Sequence, residues 1–298
     1  MIVRPKPGLL DLAFAVRGSV LPRVTGRLLL IALLCIVAIV AARHHPGIFA
    51  QISAIPFTLI GIALSVFMSF RNNACYDRWW EGRKLWGALG IACRSFARRA
   101  ETLDAPDRRL LLLGLCGFTA GLGARLRAGD EAAAIAAHCG DGPWTDAVNP
   151  TDSLLRHLGA HCLRLMQAGR IGAIHHSLLE EQLHQLAGVQ GGCERILFTP
   201  LPFSYSLLLH RTATVFCFAL PFALAGSLGW WTLLPVLLVS YTFFGLDALG
   251  DQLEDPFGLE PNDLPLDAMT RGIEREMLAA IGETDLPPAL EPAATILS

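Results

Sequence analysis

The chain alternates between uncharged apolar runs and stretches in which apolar residues recur at helical spacing, and the runs are too long for a water-soluble core. Leu28 to Ala42 is uncharged for 15 residues between Arg27 and Arg43. With Val24, Thr25 and Gly26 added, and Arg27 snorkelling toward headgroups, it reaches across a thin bilayer. Pro46 to Phe70 carries no charge for 25 residues, and Thr212 to Leu246 none for 35. The last run exceeds one span. Gly226-Ser227-Leu228-Gly229 breaks it, with Trp230 and Trp231 at an interfacial position, so the pattern predicts two transmembrane hairpins built from four spans.

One run competes with these. Leu110 to Ala124 is also 15 uncharged residues, but it holds Gly114, Gly117, Gly121 and Gly123 and is basic on both flanks (Arg108, Arg109, Arg125, Arg127). A spanning segment disfavours that charge pattern, and a buried core helix is expected instead. A cleavable leader ending at Val40-Ala41-Ala42 is the weaker reading of the first run, because a 27-residue charged preamble is long for one.

Between the hairpins the pattern is helical and amphipathic. Residues 71 to 105 place Trp79, Leu85, Trp86, Leu89 and Phe96 at helical intervals, with no proline before Pro106, so this helix can run on unbroken from the second span. Residues 151 to 169 and 172 to 190 are further helices, the latter ended by Gly191-Gly192, and 129 to 150 reads as a loop around Pro143 and Pro150. A last helix is expected near Asp263 to Ile281, before a Pro-rich tail that should fray. No strand alternation extends over a useful length. The expected fold class is an all-α membrane protein: four transmembrane helices and a large helical cytoplasmic domain.

Composition agrees, with 53% hydrophobic residues, 17% charged residues and a mean hydropathy of +0.46, against about 25% charged in soluble domains. The net charge of -2 argues against a general nucleic-acid binder, yet it conceals an asymmetry. Residues 1 to 42 carry five Lys or Arg and one acid; residues 247 to 298 carry twelve acids and two Arg. The loops at 43 to 53 and 226 to 231 contain one of the 24 basic residues, Arg43, which predicts that both termini are cytoplasmic. The expected divisions are a cytoplasmic N-terminal segment (1-23), a first hairpin (24-70), a cytoplasmic helical region (71-200), a second hairpin (201-247) and a cytoplasmic C-terminal segment (248-298).

Candidate chemistry is sparse. The eight cysteines are scattered singly with no C-x-x-C, so they read as reduced and structural. His175 and His176 are adjacent and point about 100 degrees apart on a helix, which does not suit a shared metal. Asp247, Asp251, Glu254 and Asp255 gather after the fourth span. Such a cluster can bind calcium, but solvation or pairing with nearby Arg is the commoner fate. No catalytic grouping stands out and no cofactor is expected. On the second span, Ile62, Val66 and Phe70 share one face at i, i+4 and i+8, a stripe that spacing alone assigns to lipid or helix packing ahead of a pore.

Several motifs carry a resemblance. Arg17-Gly18-Ser19; Phe70-Arg71-Asn72-Asn73 with Tyr76, Arg78 and Trp86; Gly192-Cys193-Glu194-Arg195 with Thr199-Pro200-Leu201-Pro202-Phe203; and Glu254-Asp255-Pro256-Phe257-Gly258 with Asn262-Asp263-Leu264-Pro265-Leu266 together resemble the bacterial bestrophin homologues, in family order along nearly the whole chain. The resemblance implies a homopentameric channel that passes small inorganic ions, with self and membrane lipid as its partners. It assigns Ile62, Val66 and Phe70 to a hydrophobic pore neck and Ile174 to a cytoplasmic aperture. Five copies of each side chain form a ring that resists wetting.

Two departures stand against the family's animal branch. That branch follows Pro-Phe-Gly with a dense acidic run that helps clasp calcium; here only Glu260 and Asp263 keep carboxylates at matching places, so weak or absent calcium dependence is expected. The animal neck is also richer in Phe, whose ring edges suit anions. With two aliphatic rings of three, selectivity falls to charge placement, and the acidic C-terminal segment tilts the expectation slightly toward cations. A non-conducting membrane scaffold with a partner-binding helical bundle is the alternative, and a secondary transporter, which would show internal repeats, is a third.

Overall fold

The structure is a computed structural model that describes residues 1–3, 8, 18–293 and 295–297. Arg17 of the first motif lies outside the described residues. In order, the helices are α1 (Leu21–His44), α2 (Pro46–Phe49), α3 (Ile55–Arg99), α4 (Ala105–Leu126), α5 (Glu131–Cys139), α6 (Pro150–Gln167), α7 (Ala173–Phe198), α8 (Phe203–Leu228), α9 (Leu233–Glu254) and α10 (Leu266–Ala280). Short 3₁₀ turns at Ala100–Thr102 and Gly229–Thr232 follow α3 and α8. Among the described residues the only β-pairing is isolated bridges. The fold is all-α, as the pattern predicted. The contacts divide the chain into two compact units, with α3 continuous from one into the other.

The first unit comprises residues 5–79 and 200–255 and holds α1, α2, the first part of α3, α8 and α9. Its core is almost wholly aliphatic and aromatic. Ile31 and Cys35 of α1, Leu64 and Met68 of α3, Phe216 and Cys217 of α8 and Phe243 and Phe244 of α9 are all buried together. Phe216 meets Phe243 edge to face, with centroids 5.5 Å apart, the geometry that ring quadrupoles favour. The outward faces are apolar as well. Leu29, Leu33 and Val37 on α1, Val215 on α8 and Leu234 and Leu238 on α9 are exposed, which in water would be an uncovered hydrophobic belt and in lipid is solvation. Gly229, at φ +54, turns α8 into the 3₁₀ segment at the expected break. Arg27 does not simply reach outward: its guanidinium lies 3.5 Å from Asp247 and over the Phe244 ring.

The second unit comprises residues 1–4, 80–199 and 256–298 and is built around α4. Among the described residues, four stretches are long and apolar enough to cross a membrane by length and composition. Three of them, Leu21–His44, Ile55–Thr102 and Phe203–Glu254, have 28%, 17% and 22% of their apolar windows buried, whereas Ala105–Leu126 has 67%. Helix α4 is therefore a core helix, wrapped by α5, α6, α7 and α10. Its glycines permit that wrapping. A Cβ on Gly117 would lie 2.7 Å from Cys139 Sγ, and one on Gly121 would lie 2.7 Å from Ile135 Cγ1.

Two expectations are corrected in this unit. Residues 131–139 are helical rather than looped: Ala-rich sequence propagates a helix well, and Asp130 caps it by accepting from the Ala133 N–H at 2.9 Å. Helix α7 does not stop at Gly191-Gly192 but continues to Phe198. Gly192 is there for close approach, since a Cβ would sit 2.8 Å from Leu85 Cδ2. Near the end of the Pro-rich tail, Val3 N donates to Thr295 O at 2.9 Å.

Candidate pore-lining site

Helix α3 has a two-sided character that follows from its sequence. Leu64, Met68, Arg71 and Cys75 recur at intervals of four, three and four and are all buried, the spacing of a stripe that seats one helix against its neighbours. Gly61 lets α8 come close, with Phe216 Cζ 3.1 Å from where its Cβ would be. The opposite surface holds Ile62, Val66 and Phe70, which are 59%, 46% and 60% exposed. Ser65 turns its hydroxyl back to the Ile62 carbonyl at 2.7 Å, so it adds no free polar group beside the stripe. One wall of the stripe opens onto a groove of about 380 Å³ lined by Phe57, Gly61, Ile62, Phe216, Leu220 and Phe243.

Ile174 belongs to the other unit. It lies in the first turn of α7 at 80% exposure. The turn that carries it is held firmly: His175 Nε2 is 2.7 Å from the Arg99 carbonyl, and the Arg99 guanidinium bonds to the Leu178 carbonyl and to Glu181. His175 is thereby engaged with backbone and not with His176.

Glu260 and Asp263 lie in the turn between α9 and α10. Asp263 is buried, and its Oδ2 accepts from the Glu260 N–H at 2.7 Å. Leu264 N closes the same turn onto the Pro256 carbonyl at 2.9 Å. One of the two carboxylates is thus engaged in shaping the loop. Among the described residues no group of three or more His, Cys, Asp or Glu is assembled as a metal site. The pair falls well short of the roughly six to eight oxygens that calcium takes. The acidic cluster after the fourth span has its own partner, which sequence spacing could not identify. Arg71 Nη1 lies 3.1 Å from Asp247 Oδ1, and Nη2 lies 2.5 Å from Asp251 Oδ1. Asp255 is exposed.

The thiols outside the spans are inert by environment. Burial pushes Cys93, Cys162 and Cys193 up to about 12 and Cys139 up to about 11, so all four are protonated at neutral pH. All eight cysteines are free.

An apolar-surfaced helical unit with an exposed aliphatic and aromatic stripe on a continuous helix is the build of a membrane protein of the bestrophin class. Residues 1–279 match the family described as Bacterial/Fungal Bestrophin protein, and the chain belongs to the bestrophin family. It is 43% identical over 297 residues to a voltage-dependent anion channel-forming protein of Mesorhizobium japonicum, covering 98% of this chain and 96% of that one. To the protein of the same description in Escherichia coli it is 37% identical, covering 98% of each. A crystal structure of a bacterial bestrophin homologue from Klebsiella pneumoniae is similar with a TM-score of 0.83 at 38% identity, covering 87% of this chain and 99% of that one.

Proposed function

We propose that this protein is a homopentameric ion channel of the bacterial inner membrane that passes small monovalent anions, with Ile62, Val66 and Phe70 as its neck and Ile174 as its cytoplasmic aperture. The observation that carries the reading is the exposed stripe on α3. Its residues are 46–60% exposed, yet the helix that bears them is anchored on its other side by a regular buried stripe. Five such stripes around an axis form stacked apolar rings, and an apolar constriction gates by excluding water. The site residues themselves come from the family resemblance.

Anions are favoured over the slight lean toward cations for two reasons. The relatives are described as anion channel-forming proteins. In addition, much of the C-terminal acidic excess is committed to ion pairs: Asp247 and Asp251 with Arg71, Asp267 with Arg127, Glu276 with Arg94 and Glu283 with Arg109. Paired carboxylates supply little net field to a passing ion. In the proposed arrangement both termini are cytoplasmic, and residues 24-70 and 201-247 form the two hairpins. Residues 1-23, 71-200 and 248-298 lie on the cytoplasmic side.

Purified protein in planar bilayers under a salt gradient tests this directly. The expected reversal potential shifts toward the chloride equilibrium value. Replacing Ile62, Val66 and Phe70 together with Ala shortens every ring, so conductance or open probability rises while the pentamer persists. An assembled triple variant with unchanged current removes the neck from this stripe, and a protein that never conducts leaves the scaffold reading in its place.

A further inference from the structure

Phe70 is followed by Arg71, and the two side chains leave α3 about 100 degrees apart. The ring is exposed, whereas the guanidinium is buried with 2% of its side chain accessible. A buried guanidinium is stabilised where carboxylates and carbonyls meet its donors, as they do here at both Nη atoms while Nε has no hydrogen-bond partner among the described residues. Here Nη1 reaches Asp247 Oδ1 at 3.1 Å and the Asp247 carbonyl at 3.4 Å, while Nη2 reaches Asp251 Oδ1 at 2.5 Å and Glu254 Oε2 at 3.8 Å. The Asp247 carboxylate is as deeply placed, with 4% of its side chain exposed. Its other oxygen lies 2.7 Å from His210 Nδ1 and 3.5 Å from Arg27 Nη1.

Four helices therefore converge on one carboxylate: α1 through Arg27, α3 through Arg71, α8 through His210 and α9 through Asp247 itself. The surroundings are shaped for it. A Cβ on Gly250 would lie 3.0 Å from Arg71 Nη1 and 2.7 Å from Asn72 Oδ1, so this turn of α9 must be bare for the guanidinium to pass. Packing alone does not call for such a junction, because well-packed apolar residues commonly hold helices together as strongly as a buried ion pair. What the ion pair adds is a fixed register between partners, since a forked donor fits its carboxylates in few arrangements.

We infer that Arg71 is a positioning residue for conduction: by locking the residue next to Phe70 to α1, α8 and α9 through Asp247, it fixes where the Phe70 ring stands. The inference rests on the reading of Phe70 as a neck residue. Loosening the junction frees the end of the stripe nearest Arg71, so the Phe70 ring moves first and the current changes through it.

The test is a double-mutant cycle on full-length channels in planar bilayers, using Phe70→Ala, Asp247→Asn and the two combined. Asp247→Asn is expected to change open probability or single-channel conductance by about threefold or more, and to lose most of that effect where Phe70 is already Ala. Asp251→Asn, at a carboxylate 62% exposed and so compatible with folding, is expected to act in the same direction. Arg71→Lys, which keeps the charge without the fork, should conduct closer to the parent than Arg71→Gln. Assembled Asp247→Asn and Asp251→Asn channels that conduct as the parent, or effects that add in full to Phe70→Ala, overturn the inference. If Asp247→Asn does not assemble, the Asp251→Asn cycle decides in the same way. A parent that conducts but is indifferent to Phe70→Ala overturns the neck assignment, and a parent that passes no current overturns the channel reading itself.

Discussion

Gly192 is read most simply from sequence as a helix stop, being the second of two adjacent glycines, yet it sits inside α7 with Leu85 Cδ2 2.8 Å from its missing Cβ. Gly192→Ala should therefore destabilise the protein by about 1 to 3 kcal/mol through overpacking, measured as a fall in the denaturation midpoint in detergent. A residue that merely ended a helix would tolerate Ala there. The cysteines make a second residue-scale case. With burial holding Cys93, Cys162 and Cys193 near 12, their thiolate fraction at pH 8 is about one in ten thousand. Mass spectrometry after maleimide treatment should find these three sites unlabelled in the native protein and labelled after denaturation. Native labelling within minutes would show that the fold around them opens.

Helices differ in how plainly their sequences announce them. The long apolar runs, the continuation of the second span through residues 71–99 and the break near Gly229 were legible because each depends on charge, length or glycine placement along a single segment. The core placement of α4 was legible too, from its glycines and basic flanks. Helix α5 was not, because nine residues between turn-forming neighbours give too little periodicity to register. Its capping residue carries the missed signal. Asp130→Ala should cost about 1 kcal/mol and speed amide exchange at residues 133–136, where the cap and first turn hold the helix. Equal exchange in both proteins would show that packing against α4 alone maintains α5. The partners of the acidic cluster could not be read at all: Arg71 and Asp247 are 176 residues apart, and no local pattern joins them.

At the scale of the whole molecule, the family and the all-α membrane architecture follow from motifs spread along the chain, while its disposition in the bilayer rests on where Lys and Arg are not. Single cysteines placed at Gly47 or Leu228 in a background with the native thiols replaced should react with an impermeant reagent added to intact cells. One placed at Val148, fully exposed in the helical unit, should react only after the membrane is opened. Labelling of Val148→Cys in intact cells would invert or break the proposed arrangement.

The turn between α8 and α9 is the four residues Gly229–Thr232, and it carries no charge. In the proposed orientation the second hairpin thus has nothing ionised to haul through the lipid, and its two helices can enter together as one apolar wedge. The first hairpin must move Arg43 across, a transfer that is costly for an uncovered guanidinium. In the finished fold that guanidinium lies 5.4 Å from the centre of the Trp230 ring, a cation–π contact. The second hairpin thus presents an aromatic face to the one charge that the first carries to the far side, where Arg43 is exposed at the end of α1.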